Sequence, residues 1–171
     1  NENFGEEFLI PNATTNDFGV FGTINYEWKK NVVQAGIRFD SRKINTETNG
    51  VLGEEGYFEA IEKKYESFNS SLGFKTNLKE NIILRVNLAS GFRAPNLAEL
   101  TSNGVHEGSN RYEIGNSDLE NEQNFQTDLN IEYRNSHFEL FANGFYNHIN
   151  NYIFISPNGT TIDENEVYDY L

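Results

Sequence analysis

The residues best equipped for chemistry crowd into one stretch, Ala89 to Glu122 (ASGFRAPNLAELTSNGVHEGSNRYEIGNSDLENE). His106 beside Glu107 sets an imidazole next to a carboxylate, a donor pair suited to zinc or a similar borderline cation, with Glu113 or Asp118 as further oxygen donors. The plainer reading of His106 is a loop histidine that hydrogen-bonds locally. Arg93 can face a lumen or pair with the carboxylates of this stretch. Arg93, Glu99, His106, Glu107, Arg111, Tyr112 and Glu113 are therefore the candidate contacts for a bound substrate, with His106 and Glu107 the candidate metal ligands. Glu113, Asp118, Glu120 and Glu122 read as mostly solvated loop carboxylates, and no pair of them has the flanking context that raises a pKa for acid/base work. There is no GxSxG, HExxH, P-loop or Rossmann fingerprint, and the chain has no Cys to act as nucleophile or thiolate ligand. Neither an enzyme nor a cofactor is expected.

The elements that must position these residues are strands. Period-2 alternation predicts strands over 18–28, 32–40, 67–75, 82–93, 125–133 and 137–149. In the fourth, Ile82, Leu84, Val86, Leu88 and Phe92 alternate with Arg85, Asn87, Gly91 and Arg93. In the sixth the alternation is broken, because Phe141 and Phe145 fall opposite Leu140 and Ala142. Polar side chains from Gln34, Arg38 and Asp40 through Arg85, Asn87 and Arg93 to Gln126, Asp128, Asn130 and Glu132 share one face. Short turns near Lys29–Asn31, Asn77–Asn81 and Arg134–Ser136 alternate with long polar loops over 41–66 and 94–124. Tyr152–Ile155 is a short apolar run, and Pro157-Asn158-Gly159 reads as a turn. Strands of about 10 residues match a tilted strand crossing a bilayer, and short turns opposite long loops match a membrane barrel. Tyr26, Trp28, Tyr133 and Phe138 would then form an aromatic girdle at the short-turn end.

Composition narrows the classes. The 171 residues carry 26 acidic against 13 basic side chains, so a nucleic-acid partner is not expected. The charge reads as solvated loops or as a vestibule that favours cations. Aromatic residues make up 14% of the chain. There is no Met and no apolar leader, and no apolar run approaches the ~18 residues of a membrane helix.

The run Gly91-Phe92-Arg93-Ala94-Pro95, with Leu97, Glu99-Leu100, Gly104, His106, Gly115-Asn116, Leu119 and Glu122, resembles the barrel signature of TonB-dependent outer-membrane receptors. In that family a strand runs into G-F/Y-R-A/S-P-x-x-x-E-L, and G-N-x-x-L-x-x-E leads into the next strand. The resemblance covers about two-thirds of the chain and extends weakly to the metal- and iron-uptake branch. It implies an all-β antiparallel meander of about six to seven strands, part of a transmembrane barrel of about 22 strands with short periplasmic turns and long extracellular loops. It implies active import of a scarce nutrient, a metal or a complex such as iron-siderophore, haem or zinc, across the outer membrane of a Gram-negative cell. The implied partners are outer-membrane lipid, a plug domain, TonB and the small nutrient ligand. The chain then reads as a middle-to-late barrel segment with the plug, TonB box and closing strands outside it. Isolated, such a segment would self-associate through its strand edges.

Motif positions also have shape-giving readings. Pro95 ends a strand because it cannot donate to a ladder. Gly91 permits close backbone approach, and Gly115-Asn116 reads as a turn in which both residues tolerate positive φ. The competing fold is a soluble antiparallel β-sandwich or small-barrel ligand-binding module, in which the apolar face would be a protein core.

Overall fold

A computed structural model describes residues 10–53, 56–106, 108 and 110–171. Its elements in chain order are β1 (Ala13–Trp28), β2 (Asn31–Thr46), β3 (Glu62–Lys79), β4 (Ile82–Arg93), helix α1 (Leu97–Thr101), β5 (Asn103–His106), β6 (Arg111–Ile114), β7 (Glu122–Arg134), β8 (Glu139–Asn150), β9 (Ile155–Ile162) and β10 (Asn165–Tyr170). The six long strands form one antiparallel sheet in the order β1-β2-β3-β4-β7-β8. The four short ones form a second sheet, β5-β6-β10-β9.

The register aligns the alternation across the large sheet. Tyr26, Val33, Phe74, Val86 and Leu129 form one continuous cross-strand row, and Asn25, Gln34, Gly73, Asn87 and Asp128 form the next. Side chains of successive rows lie on opposite faces. The apolar face is bare: Phe18 and Ile24 are each 64% exposed and Leu140 60%. A sandwich would bury those side chains under a second sheet, and no described residue does so. The polar face is crossed by ion pairs and hydrogen bonds, among them Arg42 Nε to Asp17 (2.6 Å) and Arg85 Nη1 to Asn130 and Glu132 (2.7 Å each). Phe21, Phe141 and Phe145 interrupt it, all of them exposed.

All three short turns lie at one end of this sheet. There Tyr26 stacks on Trp28 (centroids 5.4 Å), Trp28 leans on Phe74 (6.4 Å), and Tyr133 meets Phe138 (5.7 Å). The opposite end carries the buried core: Ile44, Tyr65, Ala94 and Leu100, with Ile61, Phe92, Leu97 and Leu119 packed against them.

The structure departs from the sequence reading in its strand bounds, in its long loops and in the parallel pairing of β6 with β10 within a second sheet. The strands run on where loops were expected: β2 reaches Thr46 and β3 starts at Glu62, which shortens the 41–66 loop to 47–61. The extension is held by backbone ladder and by pairs such as Lys43–Glu62 (2.5 Å), which leave no apolar alternation to read. The 94–124 loop contains α1, β5 and β6. Pro157–Gly159 makes a bulge within β9 and not the chain reversal: the pairing passes from Thr161–Glu166 to Pro157–Tyr168 and Gly159 has positive φ, in an edge strand where proline costs no ladder bond. The reversal falls at Asp163 and Glu164, both with positive φ.

Spin labels at Leu84, Leu88, Leu129 and Ile131 of the protein in bilayers should be more accessible to oxygen dissolved in lipid than labels at Asn87 and Asn130. Equal or reversed accessibility would overturn the assignment of faces.

Candidate functional site

The site grows from the end of β4. Arg93 and Glu122 are register partners across β4 and β7. Arg93 Nε and Nη2 bind the two oxygens of Glu122 at 2.9 and 2.8 Å, the bidentate fork that guanidinium geometry favours. Its Nη1 donates to both oxygens of Glu99 at 2.8 Å. Pro95 stops the strand, and Asn96 begins α1 with a capping box: its side chain accepts from the Glu99 N–H while Glu99 Oε2 accepts from the Asn96 N–H (2.8 Å). Glu99 thus caps its own helix and holds Arg93. Glu122 Oε1 also accepts the Ile153 N–H at 2.8 Å, tying down the chain beyond β8. One guanidinium therefore fixes a strand end, a helix and two loops.

This clamp lies beyond the apolar band. Hydrogen bonding to Arg93, then that from the Ile153 amide, holds the Glu122 carboxyl below the usual range against the opposing effect of burial. Glu122, chiefly, raises the Arg93 pKa in return.

Gly115 passes under α1. A Cβ there would stand 2.5 Å from the Ser102 nitrogen and 2.7 Å from the Leu100 carbonyl carbon. Gly115 N–H donates to Ser102 O (2.7 Å) and Asn116 N–H to Glu99 O (2.8 Å). Close approach is what requires the glycine; neither Gly115 nor Asn116 has the positive φ expected of them.

A second network closes the loops over one another. β10 pairs in parallel with β6 and antiparallel with β9, so the C-terminal hairpin docks on the signature loop. Val167 is fully buried in this seam. Glu113, 2% exposed, accepts from Arg111 Nε (2.7 Å) and from the Tyr170 hydroxyl (2.8 Å). Burial, aided by Glu113, pushes the Tyr170 pKa up to about 12. Arg111 also lies over the Tyr168 ring (5.3 Å).

Arg93, Glu99 and Glu122 thus come together, and Arg111 and Glu113 meet in the small sheet. Tyr112 is buried, with its hydroxyl on Asn103 Oδ1 (2.9 Å). His106 ends β5 opposite Arg111, at the tip of the β5–β6 hairpin, and Glu107 lies outside the described residues. Of the four loop carboxylates expected to be mostly solvated, Asp118 and Glu120 are exposed, but Glu113 and Glu122 are buried because Arg111 and Arg93 compensate them. Among the described residues no three His, Asp or Glu side chains converge as a metal site. The sequence reading missed Tyr168 and Tyr170, although the alternation Val167-Tyr168-Asp169-Tyr170 could have marked a strand. It also did not single out the concavity of about 570 Å³ beneath the clamp, lined in part by Asp17, Arg38, Asp40, Arg42, Asn69 and Arg93.

A single-layer sheet with a bare apolar face, an ion-paired polar face and knitted loops at one end is the wall and rim of a transmembrane barrel. The chain belongs to the family of TonB dependent receptor-like β-barrels, whose model matches residues 1–170. The fold is similar to the Serratia marcescens hemophore receptor HasR, solved as a double mutant with its hemophore HasA and heme (14% identity, TM-score 0.78, 99% of this chain and 31% of that one). It is also similar to the copper transporter OprC (16%, 0.73, 92% and 25%) and to the FrpB iron transporter of Neisseria meningitidis (16%, 0.63, 95% and 22%). The chain thus spans a third or less of the length of these receptors. No curated protein matches it in sequence.

Arg93→Ala leaves two largely buried carboxylates uncompensated and should cost about 2–3 kcal/mol, toward the low side for a broken pair because Arg93 is partly exposed. The melting temperature of the full-length receptor reads this; an unchanged value would contradict it. Because the folded pKa of Glu122 is depressed, its stabilisation is full above the ordinary carboxylate value of 4.5 and is lost as pH falls through the depressed one. The stability difference between wild type and Arg93→Ala should therefore shrink as pH falls, from the point where burial makes the uncompensated Glu122 of the variant take up its proton down to the depressed value in wild type, and a difference constant down to acid unfolding would refute this. Gly115→Ala should destabilise the loops by driving a methyl into the α1 backbone, seen as faster proteolysis within 94–121; unchanged cleavage would contradict it.

Proposed function

We propose that this chain forms part of an outer-membrane receptor of a Gram-negative cell that binds a scarce nutrient, a metal or metal complex, and imports it with energy supplied through TonB. The observation that carries the reading is the joint layout of the rim: a lipid-ready outer face, a charged inner face, and loops from β4–β7 and from beyond β8 locked together above the lumen. Such a platform can hold binding groups still while the wall below leads inward. The similarity in fold to receptors named for copper, heme and iron supports the cargo class. Within the whole receptor the polar face would meet a plug domain, and its role is transport, not catalysis.

The cargo contacts fall to the rim. Arg93, Glu99, Arg111, Tyr112 and Glu113 are committed to partners within the chain, so their part is to shape the platform. His106, at the hairpin tip, is the residue we assign to the ligand, with Glu107 beside it in sequence.

In the full-length receptor, His106→Ala should weaken zinc binding at least tenfold in a calorimetric titration while leaving the barrel assembled. Unchanged zinc affinity would remove His106 as a ligand. Failure of the intact receptor to restore growth on any limiting metal or metal complex would overturn the uptake reading itself.

A further inference from the structure

The cations of this chain are divided sharply by position. Every lysine and arginine from Arg38 to Lys64, and likewise Arg85, Arg93 and Arg111, is held in an ion pair. The other five, Lys29, Lys30, Lys75, Lys79 and Arg134, form none among the described residues, and all lie toward the short-turn end. The opposite rim shows the reverse balance: segments 47–61, 94–121 and 151–171 together hold thirteen carboxylates and one cation, Arg111.

Backbone bonds draw the free cations into one row. Asn77 N–H donates to Lys30 O (3.2 Å), joining the first hairpin turn to the second, and Arg134 N–H donates to Asn81 O (3.0 Å), joining the second to the third. Lys29 holds a positive φ of 53° in a two-residue turn where glycine or asparagine would sit more easily. The row borders the aromatic girdle, and Tyr26, Leu78 and Phe138 beside it are all more than half exposed. Three carboxylates, Glu27, Glu80 and Glu139, share this end, so positive charge remains in excess. Lys75 stands on the polar face and is not part of the row.

Resting on the membrane reading above, we propose that this rim is a docking belt for anionic phospholipid: Lys29, Lys30, Lys79 and Arg134 hold phosphate headgroups while Tyr26, Trp28, Leu78 and Phe138 receive the upper acyl chains. A lipid fits better than a protein partner because the cations and exposed apolar side chains follow one another at the boundary between apolar wall and turns, the same order as chain and headgroup in a leaflet. Flexible lysine stems let the ammonium reach the phosphate while their methylenes cover apolar surface. Anionic lipid near such cations gains up to about fivefold in local association per charge.

The test uses the full-length receptor reconstituted in mixed phosphatidylglycerol–phosphatidylcholine bilayers, with spin-labelled lipids of each type reporting the motionally restricted fraction. Wild type should prefer phosphatidylglycerol, lose the preference in 1 M NaCl, and lose it at low salt when Lys29, Lys30, Lys79 and Arg134 are replaced by Gln. Lys43→Gln with Lys63→Gln, at the other end, should keep it. The wild-type salt series stands even if the fourfold variant does not assemble. A preference identical in the fourfold variant, absent in wild type, or insensitive to salt overturns the belt. Loss of a periplasmic protein contact in that variant, with lipid preference unchanged, overturns it in favour of a protein partner. Restricted lipid of neither type would instead defeat the membrane reading on which the proposal rests.

Discussion

Four hydrogen bonds from one guanidinium to two carboxylates organise the rim of this sheet. Arg93 is the last residue of β4, and its fork closes on Glu122, the first residue of β7, and on Glu99 in the short helix between them. A five-residue helix is far too short to be stable by itself. Here it is held by a capping box whose carboxylate is also neutralised by Arg93, and by Leu100 buried beneath it. Glu122 then passes the constraint to Ile153 and so to the second loop. Glu99 and Glu122 are tolerated in their buried positions because each has the Arg93 cation and a backbone N–H to face.

The clamp also explains where the molecule keeps its core. A one-layer sheet cannot bury either face against itself, so its long strands depend on a ladder of backbone bonds and, on the membrane reading proposed above, on lipid. The buried cluster found among the described residues forms where the β4–β7 loop folds back over the ends of β2 and β3, and Arg93 anchors that fold-back. Order at the rim is thus bought with charge pairs and a small apolar patch, and the loops can be rigid without a large hydrophobic interior.

Much of this was legible in the sequence. Alternation gave both faces of the large sheet, because a strand's period of 2 survives in Leu84, Val86 and Leu88 against Arg85 and Asn87. The signature from Gly91 to Glu122 spans the segment that folds into the Arg93 clamp. What could not be read were partners distant in sequence: Glu113 finds Tyr170, and β6 finds β10 in parallel, across more than fifty residues with no periodic cue. The polar ends of β2 and β3 were hidden for a different reason, since strands with charge on both sides look like loops. Of the candidate site, the sequence supplied residue types but not their states, and it took Glu122 for a solvated carboxylate when it is a buried one.

The central claim is that Arg93 couples the two loops through Glu122, and amide hydrogen exchange in the full-length receptor tests it most directly. The account predicts that Arg93→Ala accelerates exchange at the Ile153 amide and in α1 together, while amides of the β4 ladder around Val86 stay as protected as in wild type. An Ile153 amide that keeps its wild-type protection in that variant would contradict it.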